Sequence, residues 1–153
     1  MTLKDLTEAI YRKSIADHPR VPAHAFARKR FTDKTANGLT AAILAFCKLY
    51  DVMATRTGVE GKYRAGETGV DAIGRTRIMK GHYIPGDNKG QGDVQIILKG
   101  KIYSVEVKIG EDRQRESQKE FQAKIEKAGG VYAIVHNWQE FYNYYRIWTK
   151  TRR

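Results

Sequence analysis

Gly92-Asp93-Val94-Gln95-Ile96-Ile97-Leu98-Lys99-Gly100-Lys101-Ile102-Tyr103-Ser104-Val105-Glu106-Val107-Lys108 is the stretch on which the reading of this chain turns. Two runs rich in β-branched residues, 94–98 and 102–107, flank Gly100-Lys101, and glycine at the first central position of a two-residue loop suits a type II′ hairpin. That turn sets Lys99 across from Ile102, Ser104 across from Ile97, Gln95 across from Glu106, and Asp93 across from Lys108. Side chains alternate along a strand, so Asp93, Gln95, Glu106 and Lys108 share one face, and Val94, Ile96, Leu98, Val105 and Val107 share the other. The second face is a core; the first is charged.

In that register Asp93 and Glu106 are diagonal neighbours roughly 7–8 Å apart at the backbone, close enough for both carboxylates to reach one ion. Two nearby carboxylates repel unless a cation lies between them, and hard oxygen ligands suit Mg²⁺. Lys108 stands beside them. Glu-x-Lys by itself is equally the pattern of a solvated strand face carrying a cross-strand Lys–Asp pair, so the surrounding chain has to decide.

The chain has 153 residues, enough for one domain with a real core. Its 28 Lys and Arg against 17 Asp and Glu give a net charge of +11, which favours a polyanionic partner such as nucleic acid. The single cysteine, Cys47, sits in an apolar run, which argues against disulfides and against a cysteine-based zinc site. No apolar run has the length of a membrane span and no signal-peptide core opens the chain, so a cytoplasmic protein without a membrane partner is expected.

Residues 3–15 space Leu3, Leu6, Ala9 and Ile10 as a short amphipathic helix stopped by His18-Pro19. Residues 20–34 mix Arg20, Arg28, Lys29, Arg30 and Lys34 with Phe26 and Phe31, which suits an arm along a phosphate backbone and equally a solvated face. His18 and His24 read as surface residues. Asn37 is expected to cap a helix over 38–50, with Cys47 as a buried small hydrophobe, followed by a strand over 52–57 that carries Arg56. Glycines at 58, 61, 66, 69 and 74 predict a long loop able to close over a substrate, with a strand over 75–84 and a turn at 85–90 after it.

Beyond the hairpin, Ser117 with Glu120 predicts a capping box for a helix ending at Gly129-Gly130, with Gln118 in its first turn on the sheet-facing side. Residues 131–136 predict a strand parallel to the one before the helix. Asn137 with Glu140 opens a last helix whose stripe of Phe141, Tyr144, Tyr145 and Trp148 reads as core or dimer contact.

Taken in order, Gly92-Asp93, Glu106-Val107-Lys108, Gln118 and Gly129-Gly130-Val131-Tyr132 resemble the PD-(D/E)xK nuclease superfamily and, within it, the VRR-NUC family, from about residue 37 to 141. The resemblance implies an α/β, restriction-endonuclease-like core: a mixed β-sheet of about four strands with a central hairpin, flanked by α-helices. Residues 1–36 would form an N-terminal helix and basic arm, and residues 37–153 the nuclease domain, within one compact domain. It further implies hydrolysis of DNA phosphodiesters with Mg²⁺ or Mn²⁺. Asp93 and Glu106 would ligate the metal with the Val107 carbonyl as third ligand. Lys108 would orient or help deprotonate the attacking water, and Gln118 would position the water or a metal-bound oxygen. Arg28, Lys29, Arg30, Arg56, Lys89, Gln91 and Arg113 are the expected DNA contacts. Stand-alone members resemble bacterial or phage junction-resolving enzymes, often homodimers that set two sites on two strands. In one respect the chain departs from the family: Asn37 and Thr40 stand where an acidic residue is usual, which implies weaker metal binding, a shifted preference between one and two ions, or another ligand supplier such as Glu67 or Asp71. A catalytically silent nucleic-acid-binding module is the competing expectation, and RNA is an open alternative to DNA.

Overall fold

The computed structural model describes residues 1–58, 62–66, 68–70, 72–78, 80–84 and 90–150. In chain order it runs α1 (Leu3–Asp17), a 3₁₀ turn (Ala23–Ala25), α2 (Ala36–Leu49), β1 (Met53–Arg56), β2 (Lys62–Arg64), β3 (Thr68–Val70), β4 (Thr76–Ile78) and β5 (His82–Ile84). It continues with β6 (Val94–Leu98), β7 (Lys101–Val107), α3 (Glu116–Lys127), β8 (Val131–Val135) and α4 (Trp138–Lys150). Two compact units result, one of Met1–Thr57 with Gly90–Arg153 and the other of Gly58–Lys89. The fold is mixed α/β, and no helix of the described residues is long and apolar enough to cross a membrane.

The first unit is built on a four-stranded sheet of order β1-β6-β7-β8, with β1–β6 and β6–β7 antiparallel and β7–β8 parallel through α3. The hairpin expected at its centre is present, but its turn is Lys99-Gly100, both at positive φ (51° and 75°). This pattern is that of a type I′ turn, with glycine second. Leu98 therefore pairs with Lys101, Gln95 with Ser104 and Val94 with Val105, correcting the sequence-based register by one residue on each strand. Because the two slips add to a shift of two residues, one full side-chain period, the faces are unchanged while the partners move. Continued by one residue, the observed register sets Asp93 across from Glu106 rather than from Lys108.

Val94, Ile96, Tyr103, Val105 and Val107 form the buried face, packed with Leu39, Ala42, Ile43, Phe46 and Cys47 of α2, Phe141 and Trp148 of α4, and Leu6 of α1. Phe46 centres the aromatic part, edge-on to Trp138, Phe141, Tyr142 and Tyr145 at 4.7–6.0 Å between ring centroids. Cys47 is the expected apolar residue; desolvation pushes its thiol up to about 12. The α4 stripe is core at Phe141 and Trp148, while Tyr144 stays exposed. Residues 1–36 belong to this same unit: Leu6 is fully buried, Trp138 Nε1 donates to the Met1 carbonyl at 2.9 Å, and the Trp138 amide donates to Asp33 at 3.1 Å.

Two helix starts differ from the sequence reading. The cap of α2 is Thr35, whose Oγ1 accepts from the Gly38 amide at 3.1 Å, so Asn37 lies inside the first turn. The cap of α3 is Arg115, whose amide donates to Gln118 Oε1 at 2.8 Å, and Ser117 lies inside the helix. The α3 stop at Gly129 (φ 82°) and the α4 cap, where Asn137 Oδ1 accepts the Glu140 amide at 2.9 Å, are as read from sequence.

In the second unit the glycine-rich segment is not the loop expected: β2 pairs with β5 and β3 with β4, both antiparallel. The strand expected over 75–84 is split in two, each half having its own partner. Strands of three residues leave too short an alternation to be read from sequence. The turn expected at 85–90 falls largely outside the described residues.

Candidate active site

Three elements converge on Glu106. Its carboxylate lies on β7, and Lys108, two residues on and hence on the same face, places Nζ 3.1 Å from Glu106 Oε1. Gln118, at the third helical position of α3, donates Nε2 to the same oxygen. Tyr132, on the neighbouring strand β8, donates its hydroxyl to Glu106 Oε2 at 3.3 Å. Glu106 and Lys108 are only 4% and 3% exposed, so the face read as charged is also a buried one. Ionised groups are tolerated there because each has partners.

Asp93 enters from the chain just before β6. Its Oδ2 accepts the Val107 amide at 2.8 Å, and its carbonyl accepts the Thr57 amide at 3.0 Å, tying it to β7 and to the end of β1. Gly90 and Gly92 make this approach possible. Gly90 has φ 87°, and a Cβ on it would run into the Ser117 carbonyl of α3; a Cβ on Gly92 would lie 2.7 Å from Ser104 Oγ. The Gly-Gln-Gly-Asp segment therefore lies against both α3 and β7.

The electrostatics follow from this geometry. Burial raises the Glu106 pKa first and the neighbouring Asp93 charge raises it further, against the lowering effect of Lys108 and Tyr132. Burial and the Glu106 charge likewise push Tyr132 upward, so its phenol stays a donor. On its outer side the Lys108 ammonium reaches Asp112 Oδ2, also at 3.1 Å. One ammonium thus meets two carboxylates, Glu106 and Asp112, and the mutual repulsion of Asp93 and Glu106 is of the kind a hard divalent cation relieves. Among the described residues no group of three or more His, Cys, Asp and Glu is arranged to hold a metal ion, so any ion here would complete its shell from backbone, water and substrate.

The four residues read as catalytic, Asp93, Glu106, Lys108 and Gln118, are brought together. Gln118 uses both ends of its amide internally, capping α3 with one and holding Glu106 with the other. Of the expected DNA contacts, Arg56 pairs in register with Val94 beside Asp93, Gln91 precedes Gly92, and exposed Arg113 follows Asp112. Arg28 is instead stacked over Tyr11 at 4.1 Å and paired with Glu8, and Lys29 lies over Phe31, while Arg30 is exposed. Lys89 lies outside the described residues, as do Glu67 and Asp71. The Asn37 side-chain oxygen accepts from Arg56 Nη2 at 2.6 Å. His18 and His24 are exposed, as read.

Two contributors escaped sequence reasoning. Tyr132 is part of the Gly129-Gly130-Val131-Tyr132 motif, which assigns it no role in the site, and the parallel pairing of Ser104 with Tyr132 places it beside Glu106. Asp112 sits four residues after Lys108, a spacing that carries meaning only on a helix, and here it lies in a loop.

Compared with known proteins, the chain matches no family model and no curated sequence.

Proposed function

We propose that this chain is a metal-dependent DNA endonuclease with a restriction-endonuclease-like core of the VRR-NUC type, acting on branched or junction DNA. The observation that carries the reading is the meeting of Asp93, Glu106, Lys108 and Gln118 in one largely buried cluster, on a protein of net charge +11. Asp93 and Glu106, with the Val107 carbonyl, are the groups that would hold Mg²⁺ or Mn²⁺, which when bound supplies Lewis-acid charge at the phosphoryl oxygen and a nucleophile at neutral pH. Lys108, a compact cation already bonded to Glu106, orients the attacking water and offsets phosphate charge. Gln118 keeps Glu106 in place. A homodimer would set two such sites on two strands.

Incubation with branched and linear DNA and Mg²⁺ or Mn²⁺ tests this reading. Cleavage that is lost with chelator and in Lys108→Ala is expected; no cleavage by wild type, or equal cleavage by the variant, overturns it. The net positive charge also suits a catalytically silent nucleic-acid-binding module. That reading predicts steeply salt-dependent binding, indifferent to chelator and to loss of the carboxylates.

A further inference from the structure

We infer that Tyr132 is a positioning residue that aims Glu106 through its hydroxyl, beside which the Gln114 amide stands; this rests on the metal-dependent reading above. The donors on Glu106 are divided unevenly. Oε1 is held by Lys108 and Gln118, whereas Oε2 has the Tyr132 hydroxyl at 3.3 Å. The terminal torsion of a glutamate is broad, so an anchor on one oxygen leaves the other free to swing. Tyr132 removes that freedom on the oxygen that Lys108 and Gln118 leave alone.

The hydroxyl itself is directed. The Gln114 side chain lies beside the Tyr132 hydroxyl, and its Nε2 donates to Gln122 Oε1 at 2.8 Å. Gln122 in turn donates Nε2 to Glu126 Oε1 at 2.8 Å. A carboxylate only accepts, so Glu126 fixes the sense of this chain of amides: Gln122 donates to it and Gln114 donates to Gln122. At the other end ionised Glu106 also only accepts, so it takes the phenolic hydrogen, and Gln114 stands beside the phenolic oxygen as an amide donor. Tyr132 is 8% exposed and packs edge-on to Phe121 at 6.5 Å, which holds the ring while the hydroxyl reaches the carboxylate. Outer partners of metal-binding side chains orient them in this way, and their loss weakens metal binding by ~10–100-fold.

The test is Mn²⁺ titration calorimetry on metal-free wild type, Tyr132→Phe, Gln114→Ala and the double variant, with thermal unfolding in chelator alongside. Tyr132→Phe is expected to keep its unfolding temperature and to bind Mn²⁺ ~10-fold more weakly. Gln114→Ala should lose less, in the same direction, and the double variant should be no worse than Tyr132→Phe, since both substitutions act through one hydroxyl. An affinity for Tyr132→Phe within about twofold of wild type, short of the range for outer partners, overturns the inference and leaves the nuclease reading standing. Wild type that binds no Mn²⁺ overturns both. Should Tyr132→Phe fail to fold, half-buried Gln114 decides: unchanged affinity in Gln114→Ala overturns the inference, and weakened affinity supports it.

Discussion

The Asp93 carboxylate accepts the backbone amide of Val107 at 2.8 Å, so the acidic group that precedes one strand of the hairpin is fixed by the backbone of the other. The bond spans the open end of the hairpin, opposite the turn, and it sets the separation of Asp93 from Glu106.

Asp93→Asn keeps an acceptor for that amide and removes the charge that opposes Glu106, whereas Asp93→Ala leaves the amide without its partner. The asparagine variant should match wild type in urea unfolding, the alanine variant should lose ~1–3 kcal/mol, and both should lose Mn²⁺ binding. Equal destabilisation by the two would show that the charge, not the acceptor, stabilises the fold.

Glu106 sets a pH dependence. Its folded pKa is raised above the ordinary 4.5, first by burial and then by Asp93, so the folded state holds a proton that the unfolded chain has released. Between 4.5 and the raised value, stability therefore falls as pH rises; below that window the penalty vanishes, and above it the penalty is complete. Glu106→Gln carries no such slope, so its stability relative to wild type should climb with pH across the window. Urea unfolding at about pH 4 and about pH 8 reads it, and a pH-independent difference would contradict it.

Gly90→Ala imposes a left-handed conformation on a non-glycine residue and pushes a methyl group into the Ser117 carbonyl. The conformational cost alone is about 1–2 kcal/mol. Since Gln118 follows Ser117, DNA cleavage should fall along with stability. Thermal unfolding and a cleavage assay check both, and a variant as stable and active as wild type would refute the contact.

Leu6→Ala removes a fully buried side chain where α1 meets the core. A loss of ~2–5 kcal/mol in urea unfolding is expected, as for other core leucines. A loss under about 0.5 kcal/mol, the range of surface substitutions, would mean that α1 is a detachable arm.

What the sequence by itself determined is periodic or local. Alternation with period two placed Asp93, Glu106 and Lys108 on one face, and that survived a register correction because a shift of two residues preserves parity. Asn137 as a cap and Gly129 as a stop were legible because they act within one turn of their helix. The tertiary structure decided what depends on distant partners. Gly100 suits either turn type; the observed turn lies where Lys99 reaches the Thr149 carbonyl of α4 and Asp93 reaches the Val107 amide. Burial of the charged face beneath α3, the Tyr132 hydroxyl on Glu106 and the Asn37–Arg56 bond each join residues at least 12 positions apart, and no local pattern encodes which such groups meet. Side-chain period is a property of the strand alone, whereas partner choice is set by the packing of the whole sheet and its helices.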